Sequence, residues 1–229
     1  MNAAQTQPGL ARRIVLFDFD GTLTRRDSLF PFLRHALGTT EFLRRLPACL
    51  PALTGLALKR LSNQDAKEAV LTRMLAGETL AHLQACGREF AEQRLDRLLR
   101  PAGMRRLQSH QANGDTCVLV SASLDLWLQP WAERHGIQAV VSSRLAVDDA
   151  GRVTGRLDGT NCRGAAKPAA VAAWLATLPP EEPVDLAAAY GDSAADRPML
   201  ELARSGYLLR LGRFRTVHGP DTDSEGHPA

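Results

Sequence analysis

Val15 to Thr24 reads VLFDFDGTLT, an apolar run opened by Ile14 that ends in two acids, Asp18 and Asp20, separated by one phenylalanine. The wider stretch Arg13 to Phe19, RIVLFDF, is short, rich in Ile, Val and Phe, and closed by Asp and Gly, the pattern of a strand buried on both faces. Such a strand needs neighbours and cover on either side. Working outward, similar runs recur at Thr116 to Val120, Ile137 to Val141 and Val184 to Tyr190. Helical spacing lies between them: Ser123 is expected to cap a helix through Arg134, Gly164 to Leu178 to form a second before Pro179-Pro180, and Asp196 to Ala203 a third. Strands alternating with helices predict an α/β fold, a parallel sheet covered on both faces.

The rhythm breaks once. From about Asp27 to Asn113 the pattern is helical almost throughout, more than one crossover needs, with Ser62 or Asn63 and then Thr79 as helix starts. Residues 28–100 are therefore expected to form a helical cap inserted into a catalytic core of 12–27 and 101–215, with loose arms at 1–11 and 219–229. LAVDDAGRVTG adds a hairpin turning at Asp148 to Gly151. Ala48 to Leu58, ACLPALTGLAL, is apolar with Arg44, Arg45, Lys59 and Arg60 around it, and is too short to span a bilayer, which takes about 20 helical residues. It is expected to be a buried helix pair broken at Pro51 and Gly55, with contact to a membrane surface as the less favoured alternative.

At 45% hydrophobic and 23% charged, composition is that of an ordinary globular chain. The net charge of +3 comes from scattered Arg with no basic, aromatic-interleaved stripe, which argues against a nucleic-acid partner. Cys49, Cys86, Cys117 and Cys162 show no zinc spacing and read as reduced thiols; the polar first residues lack an export signal. The expectation is a cytoplasmic protein, and nothing in the sequence specifies an oligomeric state.

In an open parallel sheet, ligands bind beyond the carboxyl ends of strands. Asp18 and Asp20 follow the first strand, Ser121 the second and Asp192 the run ending at Tyr190, so one pocket is expected to collect them, with Lys167 on its rim. Asp18, Asp20 and Asp192, with Asp196 nearby, place more negative charge together than carboxylates tolerate without a cation. A hard divalent ion such as Mg²⁺ answers that, and no His/Cys cluster competes for a softer metal. Ser121, Lys167 and the N–H groups of Gly21, Thr22 and Ala122 are expected to hold phosphoryl oxygens. Asp18 is then the nucleophile that forms an aspartyl-phosphate, and Asp20 the acid and base. Asp27 is a helix-entry charge unless the cap folds it over the pocket.

DFDGTLT at Asp18, VSAS at Val120 to Ser123, Lys167 in CRGAAKP, and GDSAADRPML at Gly191 resemble, in order, the four motifs of the haloacid dehalogenase superfamily of phosphatases. The resemblance implies a Rossmann-like core, Mg²⁺ held by the Asp18 carboxylate, the Asp20 main-chain carbonyl and Asp192, phosphate contacts from Ser121 and Lys167, and Asp196 in support. A helical cap between the first two motifs is similar to the phosphoserine-phosphatase-like subgroup. That subgroup carries glutamate, used for the substrate amino group, where Asp27 stands and Gly-Gly where Ala122-Ser123 stand, so the resemblance implies Asp27 as a shorter substrate-binding acid and does not extend to phosphoserine itself. Phosphatidylglycerophosphatase C-like relatives share the TxxxD start and an apolar, proline-containing segment after it, which implies a lipid-linked phosphomonoester beside a small-molecule one. The alternatives are a receiver-like module that keeps the phosphoryl group on Asp18, and an inactive binder of phosphorylated ligands.

Overall fold

The structure of the protein is a computed structural model that describes residues 11–220. The arms expected at the two ends lie almost wholly outside these residues. Strand β1 (Arg12–Phe17) sits inside a six-stranded sheet, ordered β3-β2-β1-β6-β7-β8. Its neighbours are β2 (Thr116–Leu124), followed outward by β3 (Ala139–Ser143), and on the other side β6 (Val184–Gly191), β7 (Ser205–Arg210) and β8 (Arg213–His218). All pairings are parallel except β7 with β8. Alternate residues of β1 serve opposite layers: Ile14 and Leu16 join a cluster with Val118, Val171 and Met199, whereas Val15 and Phe17 join one with Leu119, Trp127 and Phe32. The apolar run is continuous because both faces are dry, and each fully buried Leu or Ile there contributes about 1.5–3 kcal/mol.

Chain order reverses between β1 and β6, so the carboxyl end of β1 opens onto the crevice where such sheets bind ligands. Asp18 lies just past that end, its N–H still paired to the Tyr190 carbonyl at 2.9 Å. The hairpin β7–β8 was not anticipated: its turn is Leu211-Gly212, but the Arg-rich alternation of β8 gives little apolar signal at an edge. The hairpin predicted to turn at Asp148 to Gly151 is present as β4 (Leu145–Val147) and β5 (Val153–Leu157).

The helices are α1 (Leu29–Arg45), α2 (Leu50–Ala57), α3 (Asn63–Leu75), α4 (Leu80–Gln93), α5 (Pro101–Ala112), α6 (Asp125–Arg134), α7 (Ala166–Leu175) and α8 (Arg197–Leu200). Ser62 and Thr79 cap α3 and α4 as expected, accepting from Asp65 N (3.1 Å) and His82 N (3.3 Å). Ser123 does not cap α6: β2 continues through Leu124, and the hydroxyl is used elsewhere. Helices α7 and α8 are shorter than the spacing predicts, α8 being preceded by one 3₁₀ turn, Ala194–Asp196. Helices α1 to α4 follow one another between β1 and α5 and pack on the core through Phe32, Phe90 and Trp127, with Phe32 and Trp127 ring centroids 4.5 Å apart.

The expected buried pair at 48–58 is corrected. Pro51 falls in the first turn of α2, where its missing N–H costs nothing, so the helix forms unbroken through Gly55. Only Cys49 and Ala52 are buried, while Leu50 and Leu58 are 54% and 63% exposed. No helix among the described residues is long and apolar enough to cross a membrane.

Candidate active site

The turn after β1 sets the site. Gly21 adopts φ +88°, which lets the chain reverse tightly enough for Thr22 to place its hydroxyl on Asp18 Oδ2 (3.0 Å) and Asp192 Oδ1 (3.5 Å). The N–H groups of Gly21 and Thr22, expected to face a phosphate, are spent inside this turn, on Thr24 Oγ1 and the Phe19 carbonyl. Thr22 therefore enters the site through its side chain, and Gly21 through its lack of one.

Asp18 is 6% exposed. Its Oδ1 accepts from Lys167 Nζ at 2.7 Å, and the same ammonium donates to Asp196 Oδ1 at 2.7 Å. Asp196 is fixed in turn: its Oδ2 accepts from the Ser193 N–H and hydroxyl and from Asp192 N. Burial alone would push the Asp196 carboxyl up, but Lys167 and Ser193 hold it below the usual range. Burial would likewise lower Lys167; the Asp18 and Asp196 charges outweigh it and leave the lysine raised. Asp18 is raised to about 6 by burial, against the pull of Lys167, and Asp192 is raised by burial and by Asp196. One ammonium thus stands among three acids whose oxygens, one from each, lie within 4.8 Å of one another. The remaining negative charge and the all-oxygen donor set fit a hard divalent cation, with Asp18 and Asp192 best placed to hold it.

Asp20 is turned away from that cluster. Its Oδ1 accepts from Ser28 N (2.9 Å), and its Oδ2 from the hydroxyls of Ser28 (3.1 Å) and Ser123. Trp127 Nε1 donates to the Ser28 oxygen (3.0 Å) and anchors this cradle in the aromatic core. Burial, then the nearby charge of Asp27, raise Asp20 to about 7, a value suited to giving and taking protons near neutrality. The two acids of the opening stretch thus occupy different environments, one beside a lysine and one among hydroxyls. Neither Ser28 nor the use of Ser123 is legible in the sequence: Ser28 reaches Asp20 only through the turn between them, and Ser123 comes from a distant segment.

A cavity of about 200 Å³, several waters in size, joins these groups. Asp18, Asp20, Asp27, Ser121, Ala122, Lys167, Asp192 and Asp196 all line it. Ser121 Oγ accepts from Ser123 N (3.1 Å), so its proton remains to be given. Asp27 is exposed at the rim, its Oδ1 accepting from Leu29 N (2.8 Å) at the start of α1. Helices α1 to α3 close the other side with Phe30, Leu53, Leu56 and Val70, and with Lys67, which the sequence reading passed over. The signal for Lys67 was its position: it falls at the helical spacing of Asn63, Ala66 and Val70, on the inward stripe of α3.

The family model for haloacid dehalogenase-like hydrolases matches residues 15–201, from β1 to past α8. The chain belongs to that family. As a haloacid dehalogenase-like hydrolase it is 36% identical over 201 residues to Protein CicA of Caulobacter vibrioides, covering 87% of each chain. It is 28% identical over 196 residues to a probable phosphatase of Mycobacterium tuberculosis, covering 83% of this chain and 66% of that one. Among solved structures, a phosphoserine phosphohydrolase-like protein from Francisella tularensis superposes with a TM-score of 0.60 at 20% identity, over 85% of both chains. At that identity the likeness is one of fold, and it matches the Rossmann-like sheet described above.

Proposed function

We propose that the protein is a Mg²⁺-dependent phosphatase that hydrolyses a phosphomonoester through an aspartyl-phosphate. The observation that carries this is the division of labour between Asp18 and Asp20. Asp18, below neutrality at about 6, is ionised at pH 7, aimed into the cavity and steadied by Lys167 and Thr22. Asp20, at about 7, retains a proton to give. Asp18 attacks phosphorus, the bond to the ester oxygen breaks, and Asp20 delivers its proton to the departing alcohol. Water then attacks the phosphoryl group, gives its proton to Asp20, and the Asp18–phosphorus bond breaks to release phosphate. Ser121 and Lys167 bind the phosphoryl oxygens, with Asp196 keeping Lys167 in position. The cation, held by Asp18, Asp192 and the Asp20 carbonyl, would neutralise charge as it builds up on the phosphoryl oxygens. The test is hydrolysis of an aryl phosphate with Mg²⁺: activity that vanishes with EDTA and in Asp18→Asn, in a folded protein, is expected, and activity that survives either contradicts the reading.

Helix α2 favours a lipid-linked ester over a wholly water-soluble one. Its Leu53 and Leu56 line the cavity, while Leu50 and Leu58 on the same helix are exposed, with Lys59 and Arg60 following. That arrangement would let an acyl chain lie between an anionic bilayer and the cavity. Leu50→Asp combined with Leu58→Asp should abolish sedimentation with anionic vesicles and leave soluble aryl phosphate turnover within about threefold. Undiminished sedimentation of the double variant would remove α2 as the contact, and no sedimentation of the wild type would exclude the membrane.

A further inference from the structure

The cavity holds a second lysine that the reaction above leaves unused. Lys67 reaches inward from α3, and its Nζ donates to the Ala122 carbonyl and to Asn161 Oδ1 (3.1 Å). Both acceptors are neutral, and among the described residues no carboxylate stands within 4 Å of this ammonium; Lys167, by contrast, has two at 2.7 Å. Burial pulls Lys67 down to about 8, with the more distant Asp27 and Asp20 opposing and Arg163 adding to the fall. Desolvating a cation without a direct counter-ion is costly, and it is sustained where an incoming anion completes the pair.

Position says which anion. Lys167 belongs to the Asp18 side, where the phosphoryl group is held. Lys67 comes from α3 and bonds the carbonyl of Ala122, next to Ser123 whose hydroxyl holds Asp20, so it stands on the side where the alcohol leaves. The exposed Arg163 lines the same cavity and adds positive charge there.

Building on the phosphatase reading, we propose that Lys67 is the specificity residue for the leaving group, and that the substrate's alcohol carries an anionic group of its own, a carboxylate or a phosphodiester, which takes the ammonium in place of the Ala122 carbonyl.

The test compares kcat/KM on propyl phosphate, on carboxyethyl phosphate and on glycol monophosphate bearing a methyl phosphodiester, for wild type, Lys67→Met and Lys67→Arg, with Mg²⁺. The wild type should favour at least one charged ester over propyl phosphate, and the one it favours identifies the anion. Lys67→Met should cut that preference about 10- to 100-fold, the range of a charged hydrogen bond, and Lys67→Arg should restore part of it. An unchanged preference in Lys67→Met, or equal losses on all three esters, overturns the assignment. Binding of the esters to Asp18→Asn, with and without Lys67→Met and followed by thermal shift, separates the two levels: charge-selective, Lys67-dependent binding in a protein whose wild type hydrolyses nothing would retain this recognition while removing the phosphatase reading, and no charge-selective binding removes the recognition alone.

Discussion

Gly21→Ala should uncouple the proposed metal site from the fold. The added Cβ would lie 2.3 Å from Asp192 Oδ2, 2.6 Å from its Cγ and 2.9 Å from Oδ1, so the carboxylate must move by about 1 Å or more to restore ordinary contact. That motion draws Asp192 from Asp18 and breaks its bond to Thr22. Alanine at φ +88° also costs about 1–2 kcal/mol in the backbone. Gly77→Ala is the control, since Gly77 has the same φ of +88° and nothing within 4 Å of the added carbon. The assay is chemical denaturation with and without Mg²⁺. At a Mg²⁺ concentration 100 times the wild-type Kd the ion stabilises by about 2.7 kcal/mol, and a tenfold loss of affinity reduces that to about 1.4 kcal/mol. Gly21→Ala should show that reduction or a larger one, Gly77→Ala only the backbone penalty. A full Mg²⁺ response in Gly21→Ala would refute the assignment of Asp192 to the metal.

Two further outcomes follow from the electrostatics. Asp20 has a folded value of about 7 against an ordinary 3.8, so the folded state binds its proton more tightly and stability falls as pH rises between those values; in metal-free protein, Asp20→Asn should flatten that fall and raise the melting temperature at pH 8 by a few degrees, measured by calorimetry, and an unchanged pH profile would remove the raised value. Lys167→Met leaves Asp18 and Asp196 facing each other without their shared cation and should destabilise the metal-free protein by about 3–5 kcal/mol in urea titration, whereas a loss below 1 kcal/mol would mean the pair is not buried as described.

Much of this architecture is legible along the chain, and what is hidden has a physical reason. Strand β1 reads plainly because both of its faces are apolar, and the acids at strand ends read plainly because topology, not side-chain detail, collects them. Ser123 misleads because a serine before a helical stretch looks like a cap; only the fold reveals that Asp20 claims its hydroxyl. Gly21 and Thr22 mislead more subtly, since a turn beside two acids suggests free N–H groups that the turn itself consumes. Helix α2 is apolar by composition, which predicts burial, yet it is a short helix that lays one row on the cavity and leaves the other in solvent. Lys67 is one cation in a helix with several charges, and the inward stripe marks it only once α3 has been placed.

Acid quenching during steady turnover of a labelled phosphate ester, followed by peptide mapping, tests the chemistry most directly. The phosphoryl label should appear on the peptide carrying Asp18, accumulate further in Asp20→Asn, and be absent from Asp18→Asn. Steady release of phosphate with no label on that peptide, or with label on another side chain, would mean that the carboxylate after β1 never bonds to phosphorus.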